Sequence, residues 1–171
     1  MKTLYLLRHA KSDWSEGGMT DFDRPLAPRG REAAPAMGRY MKSKKLAPDL
    51  VLCSAAARAK ETWDLVAAEL GGAPEVRVLK GLYMASPGRL LDALRKVPAG
   101  VRSVLLIGHN PGMEVLAERL VGSGTRKAIA RLAVKYPTGA LAAIQFKVDD
   151  WAALADGTGH LTRFMRPKDL D

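Results

Sequence analysis

Short apolar runs rich in strand-forming residues recur along the chain, at Thr3 to Leu7, Asp49 to Cys53, Val76 to Leu79, Ser103 to Gly108 and Ala140 to Phe146. Their shortness and their polar or turn-forming flanks predict strands. Between them the apolar positions change to helical spacing. Ala33, Ala34, Met37 and Met41 follow Pro28, a residue suited to a helix's first turn, and Ala59, Trp63, Val66, Ala67 and Leu70 precede Gly71 and Gly72, a helix stop. Leu90, Leu91, Leu94 and Val97 follow Ser86, which can cap, and Pro87, which can start a helix; Met113, Leu116, Ala117 and Leu120 form a fourth stripe. Strand and helix alternate, which predicts an α/β fold whose sheet is covered on both faces. With no internal repeat, low-complexity tract or long linker, residues 1–171 are expected to form one domain.

In sheets of this kind ligands collect at the carboxyl ends of the strands. Arg8 and His9 follow the first strand, Ser54 and then Arg58 the second, and His109, Asn110, Pro111 and Gly112 the fourth. Two of the three histidines thus fall at one rim, together with two arginines. Each residue alone reads as a structural hydrogen-bonding group or a surface charge. Together they need an anion to offset them, because no carboxylate adjoins any of the four in sequence. A phosphate would supply that charge: arginine's planar fork matches two of its oxygens, and a helix opened by Asn110, Pro111 and Gly112 would offer further amide donors. A neutral imidazole in such a pocket can attack phosphorus and divide hydrolysis into two steps. Arg8 and Arg58 would favour that neutral form of His9 by opposing a further positive charge. Two histidines without a nearby cysteine or an evident third ligand make a poor zinc set, so neither metal nor cofactor is expected.

Charge widens the choice of partner without settling it. The 27 Lys plus Arg against 18 Asp plus Glu leave a formal charge of +9, which suits nucleic acid, an acidic protein or a phosphorylated small molecule, and suits solubility alone. No recognisable nucleic-acid motif accompanies it, so nucleic acid is not the expected partner. Cys53 is the single cysteine and sits in the apolar run "DLVLCS", which excludes an intrachain disulfide and reads as a small buried hydrophobe. No apolar stretch is long enough for a membrane span, and "MKT" leads straight into a strand; a cytoplasmic protein is expected. The lack of a long exposed heptad pattern points to a monomer.

The three blocks resemble the histidine phosphatase superfamily, also called phosphoglycerate mutase-like. "LLRHAKSDW" is similar to its Arg-His-Gly or Arg-His-Ala signature, "CSAAARAKETW" to its second arginine block and "LLIGHNPG" to its second histidine block, in family order over residues 4 to 112. The resemblance implies a single-domain three-layer α/β/α sandwich with a mostly parallel central sheet. It also implies a metal-independent phosphatase in which His9 is the phosphorylated nucleophile and Arg8, Arg58 and His109 bind and stabilise the phosphoryl group. "DFDRPLAPRG", with Arg24, Pro25 and Leu26, is similar more specifically to the small phosphohistidine phosphatases of the SixA type. That implies a phosphorylated protein as partner.

Around this core the candidates for substrate contact are Ser12, Arg24 and Tyr83. Their alternatives are a turn cap for Ser12, a loop-anchoring ion pair with Asp21 or Asp23 for Arg24, and packing for Tyr83. Lys11 adds potential for an anion or is merely solvated; Trp14 shapes the pocket mouth or covers the core; His160 reads as structural or exposed. Other branches of the superfamily carry an acid that protonates the leaving alkoxide, either between the third strand and its helix or just after the second histidine. Here those places hold "KGLYMASPGR" and Asn110. An alkoxide leaves badly without that proton, whereas phosphohistidine can lose a neutral imidazole, so a nitrogen–phosphorus substrate is favoured. Asp21, Asp23 and Glu114 remain open as substitutes for the acid. The alternatives are a phosphomonoesterase acting on small molecules and a noncatalytic module that binds phosphoproteins.

Overall fold

The computed structural model describes residues 1–15 and 17–170. Its centre is β1 (Lys2–Arg8), whose side chains alternate between two apolar layers: Leu4 and Leu6 enter one core, Tyr5 and Leu7 the other. A strand buried on both faces needs helices on both, and the chain supplies them. α1 (Pro28–Ser43) and α2 (Ala57–Leu70) pack on the Tyr5 and Leu7 face through Met37, Met41, Trp63 and Val66. α3 (Pro87–Arg95), α4 (Gly112–Leu120) and α5 (Arg126–Val134) cover the other through Leu90, Leu94, Leu116 and Leu132. The result is the three-layer sandwich expected from the alternation.

The remaining strands are β2 (Leu50–Ser54), β3 (Glu75–Leu79), β4 (Ser103–Gly108), β5 (Val121–Gly124), β6 (Leu141–Phe146) and β7 (Gly159–Met165). They form one sheet in the order β3-β2-β4-β1-β6-β7-β5. β1 pairs in parallel with β4, β2 with β3 and β4, and β5 with β7; only the two pairings of β6 are antiparallel. The sheet is therefore mostly parallel, and the carboxyl ends of β1, β2 and β4 lie side by side. Arg8 is in register with Gly108, and Cys53 with Ile107.

Two features lay beyond the apolar pattern. α5 and the outer strands β5 and β7 were not predicted, and both strands sit on the antiparallel side of the sheet. The Lys11 segment also packs very closely on α1: a Cβ on Gly30 would stand 2.2 Å from the Lys11 carbonyl oxygen, so only glycine lets the loop after β1 rest there. No helix among the described residues is long and apolar enough to cross a membrane. Burial pushes the Cys53 thiol up to about 12, consistent with a small core residue.

Candidate active site

At the carboxyl ends of β1, β2 and β4 the chain forms a cleft of about 240 Å³. Arg8, His9, Ser12, Arg24, Arg58 and His109 all line it, as do Lys11, Trp14, Asp21, Met84, Asn110 and Thr138. The residues singled out at three strand ends are thereby brought together. Tyr83 stands behind the cleft, edge-on to the His109 ring at 5.4 Å between centroids. His160 lies elsewhere, exposed on β7 and hydrogen-bonded to Ser123.

His9 is buried, and its ring is oriented by the backbone. The Ala10 carbonyl oxygen, 2.8 Å from Nδ1, can only accept, so Nδ1 carries the proton and Nε2 keeps its lone pair. Arg58 Nε, which can only donate, lies 3.4 Å from that Nε2. The residue after His9 is tied to the helix that carries Arg58: the Ala10 amide donates to Thr62 Oγ1, and the Thr62 hydroxyl donates to the Arg58 carbonyl. Thr62 thus fixes the two functional side chains relative to each other, a role the sequence pattern did not reveal. Gly139 closes the other side, its amide donating to the carbonyls of Arg8 and His9 at a φ of 76°, where a glycine is favoured.

His109 faces His9 at 5.1 Å between ring centroids. Its Nε2 lies 2.7 Å from Ser54 Oγ, which also accepts from the Ala56 amide. Ser54 can give its hydroxyl proton to Nε2, the arrangement that makes Nδ1 an N–H donor. That Nδ1 is buried without a hydrogen-bond partner among the described residues, and so is Arg8 Nε. Arg8 is held by its Nη1, which donates to the Tyr136 carbonyl at 3.0 Å; Asn110 Nδ2 donates to the same oxygen. With Ser54 donating to His109 Nε2, two residues of this cation-lined cleft thus each hold a buried N–H without an acceptor among the described residues.

Burial holds His9 down to about 3 against the opposing Ala10 carbonyl hydrogen bond, with smaller lowering contributions from His109, Arg58 and Arg8. Burial likewise lowers His109 to about 4, with Arg58 next in weight. Desolvation, rather than the arginines expected to exert this effect, is the larger cause. Both rings are neutral at physiological pH.

The opposite wall is saturated. Asp21, on the 3₁₀ turn Asp21–Asp23, accepts from Arg24 Nη2 at 2.7 Å, from Arg58 Nη2 at 3.0 Å and from the Tyr83 hydroxyl, while its carbonyl takes Arg58 Nη1 at 2.7 Å. The Tyr83 hydroxyl, followed by the two guanidinium groups, holds the Asp21 carboxyl well below the usual carboxylate range. Arg24 thus makes the loop-anchoring ion pair, and its Nη1 also donates to Ser12 Oγ at 2.9 Å. Ser12 bridges to Leu26 as well as lining the cleft.

Two expectations need correction. The start of α4 is not an open row of amides: Met113 N–H donates to the His109 carbonyl and Glu114 N–H to Asn110 Oδ1. The carboxylates of Glu114 and Asp23 are also engaged elsewhere: Glu114 accepts the Tyr136 amide at 2.7 Å, and Asp23 accepts from Thr20 Oγ1. Neither lines the cleft.

Comparison with known proteins settles the family. A sequence profile of the histidine phosphatase superfamily (branch 1) matches residues 4–83. The chain is 37% identical to Rv1276c of Mycobacterium tuberculosis, an uncharacterised protein, over 164 residues that make up 95% of this chain and 100% of that one. The chain belongs to the histidine phosphatase superfamily. Among solved structures it is similar to a candidate phosphohistidine phosphatase SixA from Nakamurella multipartitia, with a TM-score of 0.82 and 30% identity over 97% of this chain and 96% of that one. A second such protein, from Agrobacterium tumefaciens, gives a TM-score of 0.80 at 30% identity, covering 97% and 98%. The fold is accordingly phosphoglycerate mutase-like, and the protein is a phosphatase that works through a histidine nucleophile.

Proposed function

We propose that residues 1–171 form one histidine phosphatase domain that hydrolyses phosphohistidine on a partner protein, with His9 as the nucleophile. The observation that carries this reading is the combination, in residues of one cleft, of an unprotonated His9 Nε2, approached by Arg58 Nε at 3.4 Å, with two buried nitrogens that have no hydrogen-bond partner among the described residues, Arg8 Nε and His109 Nδ1. A phosphoryl group bound there satisfies both donors and places its phosphorus before Nε2. In the first step Nε2 forms a bond to phosphorus while the bond to the leaving nitrogen breaks, and its electron pair stays on the departing imidazole. That imidazole leaves neutral because its far nitrogen already carries a proton. Water then attacks phospho-His9, giving up its proton to the released phosphate and nearby solvent. His9 departs as a neutral ring because the Ala10 carbonyl keeps Nδ1 protonated throughout.

The same features support a nitrogen–phosphorus substrate. Asp21 is the one carboxylate lining the cleft among the described residues, and Tyr83, Arg24 and Arg58 keep it ionised. An ionised carboxylate has no proton to give an alkoxide, a deficit of about 10² to 10⁴ in rate for phosphate esters. Phosphohistidine needs none at the breaking bond. Turnover of phosphohistidine, phosphoramidate and an alkyl phosphate should therefore fall in two classes, with the ester slow. Fast ester hydrolysis that disappears in Asp21→Asn would make Asp21 an acid and the enzyme a phosphomonoesterase.

A further inference from the structure

The cleft does not end at Lys11 and Thr138. Both also line an adjoining groove of about 340 Å³, whose walls include Arg29, Lys135 and Lys168. These four cations come from separate segments: the loop after β1, the first turn of α1, the residue after α5 and the C-terminal turn at Pro167–Asp169. All four are exposed, and among the described residues none forms an ion pair. Arg166, a fifth cation of the wall, is bound to Asp169, and among the described residues no carboxylate lines the groove. The cleft lining also carries two exposed apolar side chains, Trp14 at 72% and Met84 at 50% exposure. Trp14 is held by the Arg24 guanidinium, whose carbon stands 3.4 Å from the ring centroid. Met84 is presented from a left-handed backbone with φ of 49°, a conformation a side chain rarely adopts.

We propose that this face, from Trp14 and Met84 across the cleft to Arg29, Lys135 and Lys168, docks a partner protein whose phosphorylated histidine is ringed by carboxylates. The proposal rests on the phosphohistidine reading and adds what selects the substrate protein. A second phosphate of a small molecule would call for converging, desolvated donors; here the cations are long, exposed and spread over four segments, which matches distributed carboxylates. An exposed tryptophan and methionine beside a charged rim are the composition of a protein contact. Lysine and arginine at a rim act chiefly on encounter rate and its salt dependence.

The test compares phosphohistidine carrier and relay proteins with phosphoramidate as the small probe. The triple variant Arg29→Glu, Lys135→Glu, Lys168→Glu leaves every cleft residue in place. It should lower kcat/KM for the phosphoproteins by roughly ten- to a hundredfold at low salt, through KM, and flatten their salt dependence. Phosphoramidate turnover should not change, which also reports an intact fold, and the corresponding triple alanine variant should show a smaller change of the same kind. Phosphoprotein kinetics equal to wild type would overturn the docking surface and leave the phosphohistidine reading standing. Equal losses on protein and phosphoramidate, or a loss confined to a bisphosphorylated small ester, would overturn it as well, the latter making the groove a second phosphate subsite. A wild-type enzyme that cleaves alkyl phosphates but no phosphohistidine protein would overturn the function reading and the docking surface together.

Discussion

On one wall of the cleft Arg8 Nε and His109 Nδ1 are buried without an acceptor among the described residues, whereas on the other Arg58, Arg24 and Tyr83 converge on the carboxylate of Asp21. The first wall carries the cost of desolvated donors, about 1 to 3 kcal/mol for each unmade bond, and recovers it when an anion arrives. The second already has its anion. Its guanidinium groups are therefore positioned and partly neutralised before substrate enters, and a phosphoryl group has most to gain from Arg8 and His109. Two arginines that look equivalent as sequence, each near a strand end, thus stand in different electrostatic states.

The contrast is broken most strongly by removing the unsatisfied wall. Arg8→Ala should cost on the order of 10² to 10³ in kcat for phosphohistidine, as for other single charge-stabilising donors, and Arg8→Lys should not restore it because an ammonium lacks the planar fork. Arg58→Ala should fall in the same range, since its Nε reaches His9 Nε2 while its terminal nitrogens hold Asp21. Steady-state rates on phosphohistidine decide both. Inorganic phosphate at about a hundred times its wild-type Kd should stabilise the wild type by about 2.7 kcal/mol, and thermal melting at that concentration should show little gain for Arg8→Ala.

Removing only the anion of the saturated wall should do less. Asp21→Asn removes the anion that neutralises Arg24 and Arg58, so inorganic phosphate should bind more tightly while phosphohistidine turnover stays within a few-fold of wild type. A loss on the order of 10² on that substrate would assign Asp21 to the chemistry instead. A separate test is with pH. His9 and His109 titrate at about 3 and about 4 in the folded chain, against 6.5 for a free imidazole. Between those values the unfolded chain takes up protons that the folded one does not. Their contribution is complete above about pH 6.5 and is lost progressively as pH falls towards 4 and then 3. Denaturant titrations should show that decline, and both ring resonances should hold their positions from pH 8 to 5.

The strand ends were readable because a parallel sheet turns local sequence into shared geometry. Once β1, β2 and β4 are neighbours, Arg8, His9, Ser54, Arg58 and His109 meet without any further information. Asp21 was not readable as the anion of the second wall, because its contacts to Arg58 and Tyr83 span 37 and 62 residues of chain. The hidden strands have local causes. In β7, "GHLTRFM", Leu161 pairs with Ile144 and Arg163 with Ala143, so Thr162 is an extra residue that breaks the two-residue alternation and leaves Leu161 and Phe164 buried three apart. β5 is "VGSG", too polar and glycine-rich to register as a strand, and α5 buries only Ala128 and Leu132.

The central claim is covalent chemistry at His9 Nε2. Brief reaction of the enzyme with phosphohistidine protein, followed by alkaline quench and peptide mapping, tests it most directly. Phosphate that is stable to alkali, labile to acid and located on His9, and missing from an inactive but folded His9→Ala, is the predicted result. Turnover by His9→Ala near the wild-type rate, or phosphate found on His109 instead, would contradict it.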